Sequence, residues 1–497
     1  MPQIDASPNP ATVTSMPTAD GAGTALRVLG HFCGPNSPVV VWDPFDGAEG
    51  QVTVVDGEPP QLLIGLGETA DADPETVHRC VVAAGRAIAA GLIGTASRQT
   101  VNVSCDLAAV TAGALGPTRA VRIVTAAVLE GLASQQLSDP VTILLTGLHD
   151  DTTTQAAVRA GTAEARAVLL AQELTNARAN QLTPTRFADR AAEIAQSSGL
   201  RFRCLDDDEL RELGFGALLA VGAGSQEPPR LVELTYLPDT DDSASAAIAL
   251  VGKGVTFDSG GLSLKAPSAM TGMFIDKAGA CVVLAVMSAL GELDVRVPVR
   301  GYIPLAENLP GCGATRPGDI VTSLSGKTIE VVDTDFEGRV MMADALTWAS
   351  RANPAAIVDI ATLTYQAMIA LGPDIGALIG RDEALTTQVQ RAADTVGEPL
   401  WQLPFAERYR DQIRSSAPGV DLRNHPGTDV GRALTAALFL AEFVPTHIPW
   451  AHLDVLGPTL RGSGPDIRAT GFGVRMLIRL IESLQDEPVE QLRELSQ

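Results

Sequence analysis

The 497-residue chain has few aromatic residues, 4% of the total, and only six cysteines. The cysteines form no CxxC pair and no other short spacing, so the sequence predicts neither a disulfide framework nor a cysteine-built metal site. We therefore expect buried free thiols in a reducing compartment, which predicts a cytoplasmic protein. Because aromatic residues are scarce, the core should consist mainly of small aliphatic side chains.

Positive charge is also scarce. The chain has 36 Lys and Arg against 59 Asp and Glu, a net charge of -23. Phosphate binding needs clustered cations, so we expect no nucleic-acid partner.

No uninterrupted apolar run reaches about eighteen residues, so we expect no membrane span. Residues 1–24 lack both the basic start and the apolar run of a signal peptide, and we predict that they form a disordered tail.

Histidine and glycine motifs exclude two kinds of site. The six histidines show no HExxH or similar spacing, which argues against a zinc site built from histidine. The segment "SGKT" at 325–328 resembles the end of a phosphate-binding loop, but Val321 stands where that loop requires glycine.

Strand and helix patterns alternate along the chain, which predicts an α/β fold with two domains. Residues 25–160 should form a smaller N-terminal α/β domain, and residues 161–185 a linker helix that ends at Pro184. From 186 to 490 we expect a larger C-terminal domain with a mostly parallel central sheet flanked by helices. Its predicted strands are "RLVELTYL", "AAIALVGKG", "RVPVRGYIPL", "IEVVDTDFE" and "AIVDIATL".

The segment "VVDTDFEGRV", residues 331–340, concentrates negative charge at one predicted strand. Side chains two residues apart lie on one face of a strand, so the carboxylates of Asp333, Asp335 and Glu337 should point the same way. Two other polar segments follow apolar strands, "VGKGVTFDSGGLSLK" (251–265) and "MFIDKAGA" (273–280). Together the three segments contain Lys253, Asp258, Lys265, Asp276, Asp333, Asp335, Glu337 and Arg339.

Any one of these carboxylates alone would more often be a helix cap or a surface ion pair. Three such segments at strand ends favour one shared site, because the carboxyl ends of parallel strands meet at one edge of a sheet. Buried carboxylates without partners are costly, so a converging group of them needs cations. Two divalent metal ions with oxygen ligands would supply that charge.

These residues resemble the M17 leucyl aminopeptidase family, the cytosol aminopeptidases. The resemblance covers most of residues 170–482, is weak in the first domain, and implies a metallopeptidase catalytic domain over 186–490. The segments that carry it, in the family's order, are "VGKGVTFDSGGLSLK", "AENLPGCGATRPGDIV", "SGKTIEVVDTDFEGRVMMADAL", "DIATLT", "LTAALFLAEFV" and "WAHLDVLGP".

The resemblance implies five metal ligands. Asp258 and Glu337 would bridge two divalent ions, which could be Zn²⁺, Mn²⁺ or Mg²⁺. Lys253 and Asp276 would complete the tighter site, and Asp335 the readily exchanging one. A ligating amine must be neutral, so the pKa of Lys253 would have to be lowered far by the dication and by burial.

The resemblance also implies a mechanism. The metals would bind the free N-terminal amine and the scissile carbonyl of a peptide substrate and lower the pKa of a bridging water. Lys265 would stabilise the oxyanion, and Arg339 would hold a bicarbonate that transfers the proton. The free-amine requirement makes the reaction that of an exopeptidase. Members of the family are typically homohexamers, so we expect that assembly.

The chain departs from the family's usual motifs near the implied site. The departures are Asp333 for Asn, Phe336 for Ala, Lys277 for Met, Ala278 for Gly, Tyr365 for Gly and Leu456 for Ala. We expect the extra negative charge of Asp333 and the extra positive charge of Lys277 to offset each other across the site.

The pocket for the first substrate side chain should be narrower than is usual in the family. The resemblance implies that Met273, Asp333, Thr362, Tyr365 and Leu456 border it. Because Tyr365 and Leu456 are the larger residues, we expect a preference for Gly, Ala or Ser over Leu. The alternative is a catalytically weakened member that acts as an oligomeric scaffold or regulator. Retention of all the implied ligands, together with Lys265 and Arg339, favours the enzyme.

Overall fold

The structure is a computed structural model that describes residues 11–15, 26–33, 52–55, 61–68, 73–92, 101–106, 115–133, 141–146, 151–238, 247–462 and 467–486. The chain divides into two compact units, Met1–Leu169 and Leu170–Gln497. An α/β fold with a mostly parallel central sheet is confirmed.

The first unit contains a six-stranded sheet in the order β1-β6-β5-β2-β4-β3, parallel except for β3. Within the predicted tail, residues 11–15 form a strand that pairs with β6, so the prediction of disorder is wrong for them. The rest of that tail lies outside the described residues, as does the apolar run "VVVW" at 39–42. The strands are β1 (Ala11–Ser15), β2 (Leu26–Cys33), β3 (Val52–Val55), β4 (Gln61–Glu68), β5 (Val101–Asp106) and β6 (Val141–Thr146).

Two Ala- and Val-rich helices, α1 (Pro74–Leu92) and α2 (Pro117–Leu132), pack closely in this unit. A Cβ atom on Gly131 would lie only 2.4 Å from the carbonyl oxygen of Val82, and one on Gly85 only 2.8 Å from that of Val128. Glycine therefore lets the two helix backbones approach each other directly.

The predicted linker helix has different bounds. Helix α3 is Thr152–Asn176, so it begins before residue 161 and ends before Pro184. Pro184 instead begins α4 (Pro184–Ser197), and the side chain of Thr183 accepts a hydrogen bond from the N–H of Arg186. Proline is well suited to the first helical turn, where its missing N–H has no intrahelical partner.

The second unit is built on a nine-stranded sheet in the order β16-β15-β18-β14-β9-β11-β8-β7, with β10 paired to β11. The strands β9, β10, β11, β14 and β18 are parallel to one another. Smaller sheets are β12-β13-β17 and β19-β20. The strands are β7 (Arg201–Leu205), β8 (Arg230–Tyr236), β9 (Ile248–Gly252), β10 (Gly254–Asp258), β11 (Val299–Asn308), β12 (Asp319–Thr322), β13 (Thr328–Val331), β14 (Ala356–Ala361), β15 (Gly376–Gly380), β16 (Leu400–Gln402), β17 (Leu422–Arg423), β18 (Trp450–Asp454), β19 (Leu460–Arg461) and β20 (Arg468–Ala469).

Helices of this unit bury small aliphatic side chains in its core, as the composition predicts. One helical stretch within the described residues, Pro267–Leu293, has the length and hydropathy of a membrane span, but 89% of its most apolar part is buried inside the protein. The helices after α4 are α5 (Asp207–Leu213), α6 (Gly216–Gly222), α7 (Pro267–Met270), α8 (Ala278–Ala289), α9 (Glu337–Ser350), α10 (Tyr365–Leu371), α11 (Glu383–Val396), α12 (Arg432–Ala441) and α13 (Val474–Asp486).

The predicted strand "IEVVDTDFE" is wrong beyond Val331. Residues Thr334–Phe336 form a 3₁₀ turn, and α9 begins at Glu337. The side chain of Asn424 accepts hydrogen bonds from the N–H groups of Val332 and Asp333, at 2.8 and 3.3 Å. These bonds replace the ladder that would have continued the strand.

Candidate active site

The candidate site forms where parallel strands of the central sheet end. Lys253 follows β9, Asp258 ends β10, and Asp276 precedes α8. The backbones meet closely here, since a Cβ atom on Gly252 would lie 2.4 Å from the oxygen of Gly279. The N–H of Lys253 also bonds the oxygen of Ile360 on β14 at 3.1 Å. Glycine thus brings the start of a helix against two strand ends.

Four acidic and two basic side chains converge at this edge. Oxygen atoms of Asp258, Asp335 and Glu337 lie within 4.8 Å of one another. The Nζ atom of Lys253 lies 2.7 Å from Oδ2 of Asp276 and 3.0 Å from Oε1 of Glu337. Lys265 bridges the remaining two, with its Nζ 2.9 Å from Oδ2 of Asp258 and also in contact with Asp335. All five residues that the resemblance implies as ligands therefore lie together with Lys265.

Burial shifts the acidity of the carboxyl groups. It raises the pKa of Asp276 to about 6, and the charge of Lys253 opposes that rise. It likewise raises the pKa of Asp335 and Glu337 to about 7, to which the negative charge of Asp258 contributes. Without a cation, these groups therefore resist full ionisation near neutral pH.

The pKa values of both lysines are raised, whereas an amine that binds a metal requires a lowered pKa. Burial acts to lower the pKa of Lys253, but the charges of Asp276, Glu337 and Asp258 outweigh burial and raise it. The pKa of Lys265 is raised in the same way, chiefly by Asp258. The lysines thus hold the acidic group together as ammonium ions. A metal that bound the amine of Lys253 would have to displace its proton.

The composition of the site fits divalent cations. When all four carboxylates are ionised, the two ammonium groups leave two negative charges unbalanced in a largely buried cluster. Oδ2 of Asp276 and Oδ1 of Asp335 are buried and accept no hydrogen bond of good geometry among the described residues, although a lysine lies beside each. Oxygen atoms with free lone pairs and excess negative charge are what hard divalent cations require.

Two neutral side chains fix the carboxylates: Asn308, which the sequence did not point to, and Thr362, which the resemblance implied only as a pocket residue. The amide of Asn308, at the end of β11, donates to Oδ1 of Asp258 at 2.8 Å and to the oxygen of Thr334 at 3.0 Å. The hydroxyl of Thr362 donates to Oδ1 of Asp276 at 2.7 Å. A polar residue ending an apolar strand was the available signal for Asn308, since Asp258 and Asn308 pair in register.

Arg339 is buried within the same region. Its Nη1 is a buried donor without a hydrogen-bond partner among the described residues, and burial lowers its pKa to about 10. The guanidinium of Arg339 lies 4.8 Å from the ring centre of Phe336, and that of Arg432 lies 5.1 Å from it. His425 packs edge-on to the same ring. The ring of Phe336, one of the departures from the family, therefore packs against the guanidinium groups of Arg339 and Arg432, next to the Nη1 donor of Arg339.

Asp333 and Lys277 do not offset each other. Asp333 accepts a hydrogen bond from the N–H of Asp335 at 2.9 Å and so caps the 3₁₀ turn instead of sharing a strand face with Asp335 and Glu337. The amine of Lys277 donates to the carbonyl oxygens of Thr175 and Ala177, at the end of α3, and also contacts that of Phe274. Lys277 is therefore a buried cap of a helix C-terminus, and the expectation of charge compensation across the site is wrong.

Residues implied for the substrate pocket lie at the same sheet edge. Thr362 and Leu456 leave the neighbouring strands β14 and β18, whose last residues, Ala361 and Asp454, pair in register. Tyr365 begins α10 with 58% of its surface exposed, whereas Leu456 is half-buried. Met273 is also half-buried and begins the 3₁₀ turn that leads to Asp276.

Comparison with known proteins agrees with this geometry. Residues 169–478 match the model of the cytosol aminopeptidase family, catalytic domain. A probable cytosol aminopeptidase of Streptomyces coelicolor is 38% identical over 88% of this chain and 87% of that protein. One of Roseiflexus castenholzii is 45% identical, over 65% of each protein.

A solved structure points the same way. The bottromycin maturation enzyme BotP in complex with Mn superposes with a TM-score of 0.83 at 37% identity, covering 93% of this chain and 99% of that one. The family match spans more than half of the chain and includes every strand end that forms the site. The chain therefore belongs to the cytosol aminopeptidase family, a family of peptidases.

Proposed function

We propose that the chain is a two-metal aminopeptidase that releases N-terminal amino acids from peptides. The carrying observation is the convergence of four acidic side chains, two of which have a buried oxygen atom that contacts a lysine but accepts no hydrogen bond of good geometry among the described residues. The ligands would be Lys253, Asp258, Asp276, Asp335 and Glu337, holding two ions of Zn²⁺, Mn²⁺ or Mg²⁺. When bound, the ions supply Lewis-acid activation of the scissile carbonyl and of water.

The chain's own residues would carry the remaining steps. The ammonium of Lys265 is 15% exposed, unlike the more deeply buried Lys253, and can reach a carbonyl oxygen that becomes negatively charged. The unused Nη1 donor of Arg339 suits a small anion such as bicarbonate, which would accept and return the proton during amide cleavage. Asn308 and Thr362 would keep Asp258 and Asp276 in place.

The pocket proposal follows from the departures at Tyr365 and Leu456. These side chains lie on segments that leave the sheet at the same edge as Thr362, a hydrogen-bond partner of Asp276. With Met273 and Asp333 they would border the first substrate side chain. Because Tyr and Leu occupy more volume than Gly and Ala, we infer a preference for Gly, Ala or Ser over Leu.

Amino-acid release from a panel of X-Gly dipeptides, with and without Mn²⁺, tests this proposal. We expect metal-dependent release, loss of release in Asp335→Asn, and faster turnover of Ala-Gly than of Leu-Gly. Release by Asp335→Asn at the wild-type rate would contradict the metal assignment. Faster Leu-Gly turnover would contradict only the pocket assignment, and the double variant Tyr365→Gly/Leu456→Ala should then leave the preference unchanged.

The proposal extends to assembly and location. Resemblance to the family supports a homohexamer in the cytoplasm acting on peptides with a free N-terminus. Light scattering of the purified chain tests the assembly, since a mass of six chains is expected and a monomer would contradict it.

A further inference from the structure

A cavity lies at the edge of the central sheet opposite to the candidate active site. Its walls include Arg351, which precedes β14, and residues 441–446, which precede β18, whereas the candidate active site follows the ends of these strands. The cavity has a volume of about 730 Å³, which is within the range of small-molecule sites. It is separated from the site by α9, whose 14 residues span roughly 21 Å.

The lining of this cavity is strongly cationic. Lys327, Arg351, Arg381 and Arg410 face Glu442, the one carboxylate residue in the lining. Glu407, which pairs with Arg410 from outside the lining, adds a second negative charge, so two positive charges remain in excess, in a chain whose net charge is -23. Cations gathered in a concave surface focus the electrostatic field and attract anions.

Glu442 already satisfies two of the four cations. Lys327 donates to the carbonyl oxygen of Glu442 at 2.9 Å and contacts its carboxylate, and Arg410 contacts the same carboxylate. Arg410 also donates to Glu407 at 2.7 Å. This side of the cavity is therefore close to electrically neutral.

Arg351 and Arg381 form no ion pair among the described residues. The guanidinium of Arg351 lies 5.2 Å from the ring centre of Trp348 and makes one long bond, 3.4 Å, to the oxygen of Leu324. Arg381 donates to backbone carbonyls, while its Nε is buried and has no hydrogen-bond partner in the described part of the chain. Burial, together with the charge of Arg410, lowers the pKa of Arg381. A bound anion would relieve the repulsion between the positive charges of Arg381 and Arg410.

The rest of the lining suits an organic anion. The apolar side chains of Leu324 and Phe443 can contact the carbon skeleton of such an anion, whereas the hydroxyls of Thr347 and Ser350 already donate to backbone carbonyl oxygens of α9. We propose that this cavity binds a small molecule carrying two or more negative charges on phosphate or carboxylate oxygens. Arginine recognises both groups through paired N–H donors. The site is separate from the proposed metal centre, so its ligand would not be the peptide substrate.

Calorimetric titration of the full-length protein with inorganic phosphate, and separately with glutarate, tests this inference at constant ionic strength maintained with chloride. Intrinsic fluorescence gives a second readout, because two of the four tryptophans, Trp348 and Trp450, adjoin Arg351 and Arg381. We expect saturable binding of one anion per chain. Arg351→Ala should weaken it about tenfold, as expected for loss of one charged hydrogen-bond donor. Arg211→Ala, which removes an exposed arginine elsewhere, should leave it unchanged.

The outcomes separate the alternatives. Tighter binding of phosphate identifies a phosphorylated ligand, and tighter binding of glutarate identifies a dicarboxylate. If neither phosphate nor glutarate binds saturably, the inference is overturned. Equal weakening of anion binding by Arg351→Ala and Arg211→Ala would also overturn it. Loss of binding in Lys265→Ala with retention in Arg351→Ala would place the anion at the candidate active site and would also overturn it.

Discussion

Gly338 packs directly against Lys253, one of the proposed metal ligands, and leaves no room for a side chain of its own. It is the second residue of α9, between Glu337 and Arg339. A Cβ atom built on Gly338 would lie 2.6 Å from Cε and 2.8 Å from Nζ of Lys253. Ordinary contacts begin near 3.4 Å, so Gly338→Ala should displace the end of Lys253 by about 0.8 Å, the difference between 3.4 and 2.6 Å.

The displacement acts on a side chain that has little freedom. The amine of Lys253 is held by Asp276 at 2.8 Å, by Glu337 at 3.0 Å and by the oxygen of Thr362 at 3.2 Å. Overpacking of this kind typically lowers the free energy of unfolding by about 1–3 kcal/mol. Loss of ligand orientation typically lowers metal affinity about 10–100-fold. We therefore expect a modest stability change and a larger change in metal binding.

Thermal unfolding of the metal-free protein and calorimetric titration with Mn²⁺ measure the two effects separately. Gly291→Ala is the matched control, because a Cβ atom there would have only the oxygen of Ser198 nearby, at 3.9 Å. The control should match the wild type in Mn²⁺ affinity. Wild-type Mn²⁺ affinity in Gly338→Ala would refute the assignment of Lys253 as a ligand held in this position.

Three further predictions concern buried polar groups. Burial raises the pKa of Asp344 to about 7, so its stabilising contribution is lost as pH rises from about 4 to 7. Over this pH range, the unfolding free energy of the wild type, measured by denaturant titration, should therefore fall relative to that of Asp344→Asn by up to about 1.4 kcal/mol per pH unit. A rise of the wild-type value relative to that of the variant would show that the hydrogen bonds of Asp344 outweigh its burial. Lys277→Met should lower the melting temperature, because buried carbonyls lose their donor at a cost of about 1–3 kcal/mol each, and adding Asp333→Asn should not restore it; restoration would support charge compensation. Asn308→Ala should weaken Mn²⁺ binding about tenfold or more in calorimetry, and unchanged binding would argue against its role in holding Asp258.

Apolar runs ending in polar residues made much of the candidate site predictable. Lys253 directly follows β9, and Asp258 is the last residue of β10. The carboxyl ends of parallel strands share one edge of the sheet, so these residues were expected to lie close together. The α/β class followed from the same alternation. These features are local in sequence, so the pattern of residues was enough to predict them.

Contacts between distant segments explain the wrong predictions. The strand predicted through Asp333 ends early because Asn424, about ninety residues away, takes its N–H groups. Lys277 faces the end of α3, a hundred residues earlier in the chain, and not Asp333. Neither partner can be identified from spacing along the chain, because both depend on how separate elements pack.

The number of metal ions bound per chain tests the central claim most directly. Metal-free protein titrated with Mn²⁺, with elemental analysis of the dialysed complex, should give two ions per chain. Asp335→Asn should give one, because Asp335 would belong to only one of the two sites. No bound Mn²⁺, or a single ion per chain in both proteins, would contradict the two-metal account.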